Sequence, residues 1–351
     1  MKGDRNAMKV VDVHAHTAPR GFLERAPRDE GQDGVSVRAS AGGGGYEVVF
    51  RGTAFGPLDE HAYPIPPIDY DIGLRIAEME RLGVDVQVLS LSPLLFQYGV
   101  PAAQAVPRAR LLNDELAAVQ RARPERFRAL ATLPLQDPDA SVEELERVMG
   151  SLGMAGIQVG ANVWGRDLDG PDLVRVLERA EQLGAVVFVH PAIMQSYPGA
   201  VANMDRIGDF YLRNLIGNPL DTTIAIARLL FGGTLERLPR LKLYLAHGGG
   251  YAVFGLGRFA HAHGVRSETA AAQGDPRELL RNVYVDTIVH DPPTLRYVVE
   301  MLGAERVMMG SDYPTDMGPA DPVGAVDAAG LDAETRALVL GGNAARLFGI
   351  G

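Results

Sequence analysis

The sequence predicts a (β/α)8 TIM barrel, one domain over residues 1–351 with a small insertion at about 17–69 after its first strand. Three observations carry that expectation. Short runs rich in Val, Ile, Leu and Ala alternate with longer stretches whose apolar residues recur at helical spacing. Eight such runs occur. No glycine-rich dinucleotide fingerprint follows the first of them, which weakens the competing open, doubly wound sheet.

In order, the predicted strands are Lys9–Val13, Asp85–Leu91, Arg128–Leu133, Gly156–Gly160, Val186–His190, Leu241–His247, Tyr284–Thr287 and Arg306–Gly310. Continuous apolar runs suit parallel strands buried on both faces, each needing a crossover helix. Leu74, Ile76, Met79 and Leu82, then Leu145, Val148, Met149 and Leu152, mark two of those helices. Thr17–Asp69 is polar and rich in Gly and Pro, with strand-like Tyr46–Arg51 predicting a small hairpin. Its tail, Pro64-Ile65-Pro66-Pro67, reads as extended. Pro191–Thr222 is long for a connection and reads as an active-site lid or a subunit contact. Pro322–Gly351 reads as terminal helices closing the barrel.

Composition narrows the function classes. The chain is 46% hydrophobic and 22% charged, which excludes a disordered or fibrous protein. A net charge of -10 argues against nucleic acid as a partner. No run approaches the roughly 20 apolar residues of a membrane helix. The start, Met1–Ala7, lacks the apolar stretch of a signal peptide, so the expected location is the cytoplasm. Without cysteine, any metal must be held by histidine and carboxylate.

The eight histidines are therefore the most informative residues. Val11-Asp12-Val13-His14-Ala15-His16 ends the first predicted strand, and strand alternation sends both imidazoles to one face. Alone, that pair is weak evidence for metal and reads more readily as hydrogen-bonded polar residues at a strand end. His190 closes the fifth run, His247 the sixth, and Asp312 follows the eighth. An apolar strand rarely ends on a buried polar group by accident, because an unpartnered one is costly. Convergence of such groups from separate strands favours a site. His14, His16, His190 and Asp312 make a His3Asp zinc set, which a calcium or magnesium site would not share. His61, His261 and His263 lie in polar stretches and read as surface residues, whereas His290 could line the mouth.

Beyond these groups, the chain resembles the amidohydrolase superfamily, in its aminocarboxymuconate semialdehyde decarboxylase branch, from Val10 to Leu347. Besides the first-strand segment, Phe188-Val189-His190-Pro191, Thr222-Thr223-Ile224-Ala225-Ile226 and Ala246-His247-Gly248-Gly249-Gly250 match. So do Gly310-Ser311-Asp312-Tyr313-Pro314 and Gly342-Asn343-Ala344. The resemblance implies one divalent ion, zinc first and manganese second, on His14, His16, His190 and Asp312. It implies His247 as the acid/base that orients and deprotonates a metal-bound water. It also implies a homodimer in which Arg258 reaches a substrate carboxylate in the neighbouring subunit, with Arg266 nearby. Arg51 matches a carboxylate-binding arginine, and Tyr211 falls where the decarboxylase has an active-site tryptophan. Two pocket positions depart from the family: Ala192 replaces an aromatic residue and Thr315 a phenylalanine. The segment Gly56–Pro67 has no family counterpart.

The implied activity is non-oxidative decarboxylation of an unsaturated or aromatic carboxylic acid. A bound divalent ion brings the pKa of its water from about 15.7 to near 7. An imidazole, with an ordinary pKa of about 6.5, is suited to exchanging a proton with the substrate carbon. The alternative is a hydrolase or hydratase of the same superfamily, acting on a lactone, amide or double bond; a shared fold does not choose between them. A non-catalytic binding protein would leave the histidines and Asp312 without a purpose.

Overall fold

The computed structural model describes residues 8–25, 34–41, 44–51, 60–192 and 204–351. Eight strands form one sheet in chain order: β1 Val11–Thr17, β2 Val86–Leu91, β3 Phe127–Ala131, β4 Gly156–Gly160, β5 Val186–His190, β6 Lys242–Leu245, β7 Tyr284–Asp286 and β8 Val307–Met308. Each pairs in parallel with the next. The two ends of the sheet also meet. Val13 N–H donates to Met309 O at 2.9 Å, Asp312 N–H donates to His14 O at 2.8 Å, and Ala15 bridges Tyr313 in parallel. The result is the expected barrel.

A helix follows each strand on the outside. Pro171–Leu183 shows why: Leu173, Val176, Leu177 and Ala180 are buried at helical spacing, and Gly184 ends the helix in the left-handed conformation. Asp71, Asp137, Asp291 and Asp321 cap four of these helices by accepting a first-turn N–H. Inside the barrel, Val11, Val13, Val88, Phe188, Tyr244 and Met308 pack with Phe348 into an apolar floor. Phe188 and Tyr244 stack at 4.1 Å, and the Tyr244 hydroxyl donates to Val13 O at 2.9 Å. Among the described residues no helix is long and apolar enough to cross a membrane.

Several boundaries correct the sequence expectation. The first strand does not end at Val13: His16 and Thr17 still pair with Ser90 and Leu91. Nor does simple alternation bring the histidines inward. Val11 and Val13 already face the lumen, so strict alternation would turn His14 and His16 away from it. A register slip between Asp12 and Ala15 reverses the phase. This bulge is what aims both imidazoles into the barrel. At the other end, β6 stops at Leu245, before His247 takes a left-handed φ of 56°.

The insertion holds three antiparallel strands, Gly34–Ala39, Tyr46–Arg51 and Glu60–Ile65, one more than the predicted hairpin. Pro64 is tolerated because it lies on the edge strand. Pro67 departs from the extended expectation by opening a short helix, Pro67–Tyr70. Of the Gly56–Pro67 segment, 56–59 fall outside the described residues, as do 193–203 of Pro191–Thr222. The end of that second loop is already helical, since the helix Asn218–Phe231 begins inside it.

Closure between β8 and β1 leaves no room beside Gly310. A Cβ there would sit 2.9 Å from the His14 Cβ and 3.0 Å from the Asp286 Cβ, atoms that cannot swing aside. Gly310→Ala is expected to destabilise the fold by about 1–3 kcal/mol, read as a lower urea midpoint. An unchanged midpoint would mean that the two strands yield.

Candidate metal centre and active site

The bulged end of β1 presents His14 and His16 to the ends of β5 and β8. Nε2 of His14 lies 3.0 Å from Nε2 of His16, and both approach Asp312 Oδ1, at 3.3 and 3.1 Å. With His190, one donor atom from each of these residues falls within 4.8 Å of every other, and all four residues are buried.

The far side of each ring is committed. His14 Nδ1 donates to Asp286 Oδ2 at 2.7 Å, His16 Nδ1 to Leu91 O at 3.0 Å, and His190 Nδ1 to Pro191 O at 2.7 Å. Carbonyl and carboxylate oxygens only accept, so the neutral form of each ring carries its proton on Nδ1 and its lone pair on Nε2. His190 Nε2 is buried with no hydrogen-bond partner. Three imidazoles oriented from behind and a carboxylate oxygen fit a divalent metal ion.

The electrostatics follow. Burial opposes the charge on Asp312, yet His14, His16 and His247 hold its carboxyl well below the usual range. Burial, with His16 and His14, pushes the His190 imidazole well down. Burial also opposes protonation of His14, but Asp312 and Asp286 carry it up to about 10.

His247 stands beside this group and differs from it. Its Nε2 is 3.7 Å from the other Asp312 oxygen, and its side chain is 15% exposed, the most accessible of the five. The turn that follows is tight. A Cβ on Gly250, whose φ is 65°, would meet Pro219 O at 2.2 Å. Thr223 Oγ1 completes it by accepting Tyr251 N–H at 2.8 Å.

A cleft of 190 Å³ opens over His16, His190, His247 and Asp312, walled by Tyr63, Leu94, Ala192, Tyr211 and Thr315. A second cavity of 390 Å³ shares Asn214, Asn218 and His247 with it and continues past Tyr251, Phe254 and His290. Tyr211 thus belongs to the site, its hydroxyl donating to Asp316 at 3.1 Å. Arg258 is exposed on the helix Ala252–Val265 and lines neither cavity. Arg266 is exposed and paired with Glu268. The Arg51 and His61 side chains lie outside the described residues. His261 is exposed, and His263 is half-buried, donating to Ala272 O at 2.9 Å.

Sequence reasoning passes over Asp286, at the end of β7, although the strand-end criterion that selects Asp312 applies to it equally. It also misses Asp12 and Arg75. Asp12 accepts from Gln87, Ser311 and the His14 N–H, while buried Arg75 donates to His16 O and lies over the Tyr313 ring. Such partners are long-range in sequence and leave no local pattern.

The family model described as Amidohydrolase matches residues 11–350. The 2-amino-3-carboxymuconate-6-semialdehyde decarboxylase of Dictyostelium discoideum is 34% identical over 354 residues, covering 97% of this chain and 91% of that protein. The structure of 5-carboxyvanillate decarboxylase from Sphingomonas paucimobilis superposes with a TM-score of 0.79 at 26% identity, covering 98% of this chain and 100% of that one. A variant of the 5-carboxyvanillate decarboxylase from Novosphingobium aromaticivorans, solved with bound manganese, gives a TM-score of 0.80 at 23% identity over 99% of each chain.

Behind the cleft-lining residue Ala192, buried Asp221 accepts from Asn162 at 3.0 Å and from the Ala192 N–H. Burial outweighs those bonds and pushes its carboxyl up to about 6. Folding therefore favours the protonated form, and stability is lost as pH rises from the ordinary value of 3.8 through about 6. Asp221→Asn removes that cost at the expense of one acceptor. The variant should be more stable than wild type by about 1–3 kcal/mol at pH 7.5, with the gain gone at pH 3. Equal urea midpoints at pH 7.5 would contradict this.

Proposed function

The chain belongs to the amidohydrolase family, and on that premise we propose that it is a metal-dependent, non-oxidative carboxy-lyase acting on an unsaturated or aromatic carboxylic acid. One observation carries the reading: the inward group of His14, His16, His190 and Asp312 with the more accessible His247 at its edge. Relatives named as decarboxylases of such acids support it.

A divalent cation held by those four residues would supply a fixed positive charge that draws electron density toward it. Zinc is the first choice for three imidazoles and a carboxylate, with manganese the alternative. Loss of carbon dioxide breaks the bond to the carboxyl carbon and leaves its electron pair on the carbon that bore it. That carbon must then take up one proton. His247 is placed to hold this proton at Nε2, facing Asp312 from the edge of the cleft. Tyr211 and Asn218 line the same cleft and orient the acid, while Leu94, Pro191 and Ala192 keep water away. Small Ala192 and Thr315 leave room for a ring.

The active unit in this reading is a cytoplasmic homodimer, each chain one domain with its insertion at about 17–69. Phe254, Arg258, His261 and Val265 recur at helical spacing on one exposed face, Phe254 at 84% and Val265 at 62% exposure. An uncovered apolar stripe around an arginine suits a two-fold contact that hands Arg258 to the partner's substrate carboxylate. Arg51 and Arg266 complete the proposed carboxylate-binding set.

Purified protein screened against ortho-hydroxy benzoates and muconate semialdehydes should release carbon dioxide, with one divalent ion per chain by metal analysis. Consumption of an ester, lactone or amide without carbon dioxide would favour the hydrolase instead. His190→Ala and Asp312→Ala should lose metal and activity together; full occupancy in both would sink the ligand assignment. His247→Ala should keep its metal and lose at least about 10²-fold in turnover. A metal-free His247→Ala protein would make His247 a ligand.

The shared site has its own test. Inactive His247→Ala and Arg258→Ala proteins, unfolded together and refolded, form mixed dimers in which one site carries both defects and the other neither. Random pairing should return roughly a quarter of wild-type activity. If confirmed mixed dimers stay dead, Arg258 does not act across the interface.

A further inference from the structure

One buried carboxylate behind the site collects four donors from three segments of chain. Asp286 Oδ2 accepts from His14 Nδ1 at 2.7 Å and from the His247 N–H at 2.9 Å. Asp286 Oδ1 accepts from the N–H groups of Gly248 at 2.9 Å and Ile288 at 3.0 Å. The residue has no solvent exposure. A carboxylate offers roughly four lone-pair sites, so this one is saturated and has none left for substrate, water or ion.

We propose that Asp286 is a positioning residue that locks the metal-holding ring of His14 and the proton-carrying turn of His247 into one unit. The inference rests on the proposed roles of those two histidines, and it names the group that fixes both.

Toward His14 the carboxylate acts on the tautomer. A partner that only accepts keeps the proton on Nδ1 and leaves the Nε2 lone pair facing His16 and Asp312. Toward His247 it acts on the backbone. His247 and Gly248 both have left-handed φ, 56° and 62°, and their consecutive N–H groups point at the same carboxylate. Such a pair forms an anion-binding concavity, and for a non-glycine residue the conformation is strained and persists only where its surroundings hold it. Oδ2 is common to both arms, so neither can shift without the other. The carboxylate has little freedom of its own, because four N–H donors from three segments hold its two oxygens.

Asp286→Asn is the same shape with one acceptor replaced by a donor. With its amide turned to Gly248 and Ile288, the turn loses its anion. With its amide turned to His14, Nδ1 must accept, and the proton moves to Nε2, where the cation is to be held. The folded variant should bind zinc about 10–100-fold more weakly in chelator competition. With zinc restored to full occupancy, kcat should stay at least about 10-fold down while KM changes little, since Asp286 touches no substrate. Full recovery of kcat at full occupancy overturns the joint role, and unchanged affinity with unchanged kcat overturns the proposal entirely. A measurement on zinc-loaded wild type needs no variant to fold. In ¹⁵N-histidine-labelled protein, His14 should show a zinc-bound Nε2 and a protonated Nδ1; zinc on Nδ1 would overturn the assignment. Wild type that binds zinc but releases no carbon dioxide would defeat the proposed reaction, while the affinity loss in Asp286→Asn would still uphold the His14 arm.

Discussion

Three imidazoles and a carboxylate crowd into a volume from which water is largely excluded, and that desolvation sets the terms for the upper barrel. A buried polar group without a partner costs free energy, so every ring nitrogen not turned into the group has to be satisfied from behind. The acceptors that do so are Leu91 O at the end of β2, Pro191 O after β5, and Asp286 at the end of β7. His14 and His16 lie on one strand yet lean on acceptors to either side of it. Reaching β7 from β1 requires β8 to close the sheet between them. Barrel closure is thus a condition for the ligand geometry as well as for the core.

The floor beneath the group makes the arrangement one-sided. Val186, Phe188 and His190 share a face of β5, and only the last is polar. Phe188 stacks on Tyr244 and also meets the His14 ring at 4.9 Å. Around Phe188 the polar layer therefore rests on an aromatic one. Orientation has to come from the strand ends.

These features explain what the sequence discloses. Eight apolar runs and the polar residues that close them are local, and periodicity together with chain order is enough to find His190, His247 and Asp312. The bulge in β1 is not local: it shows only as register against β2, so a periodicity argument puts His14 and His16 on one inward face by the wrong route. Boundaries fail where function overrides propensity, as at Thr17, where polar residues extend a strand, and at His247, where a left-handed residue follows one. Asp286 and Arg75 are harder still, since their importance lies in partners far along the chain. The arginines mark the opposite limit. Arg258 and Arg266 carry the motif, yet both are exposed and neither lines a cavity of its own chain.

The residues around the centre divide by what carries them. The candidate ligands stand on or directly after barrel strands, held by ladder hydrogen bonds and by partners that are themselves saturated. The walls of the cleft come mostly from connections: Leu94 after β2, Ala192 after β5, Tyr211 and Asn214 in the long link that follows, Thr315 after β8. A side chain on a connection can change size without disturbing the register of the sheet, whereas Gly310 or Asp286 cannot. The pocket positions that depart from the family, Ala192 and Thr315, are both of the first kind. Substrate choice can therefore drift at the walls while the chemistry stays fixed beneath them. His247 is where the two sets meet, since its backbone is pinned by β7 while its ring forms part of both cavities. On the role proposed for His247, a change of substrate that demanded a new position for its proton would have to move this residue. Among the described residues that line the smaller cleft, it is the one whose backbone the carboxylate at the end of β7 holds in place.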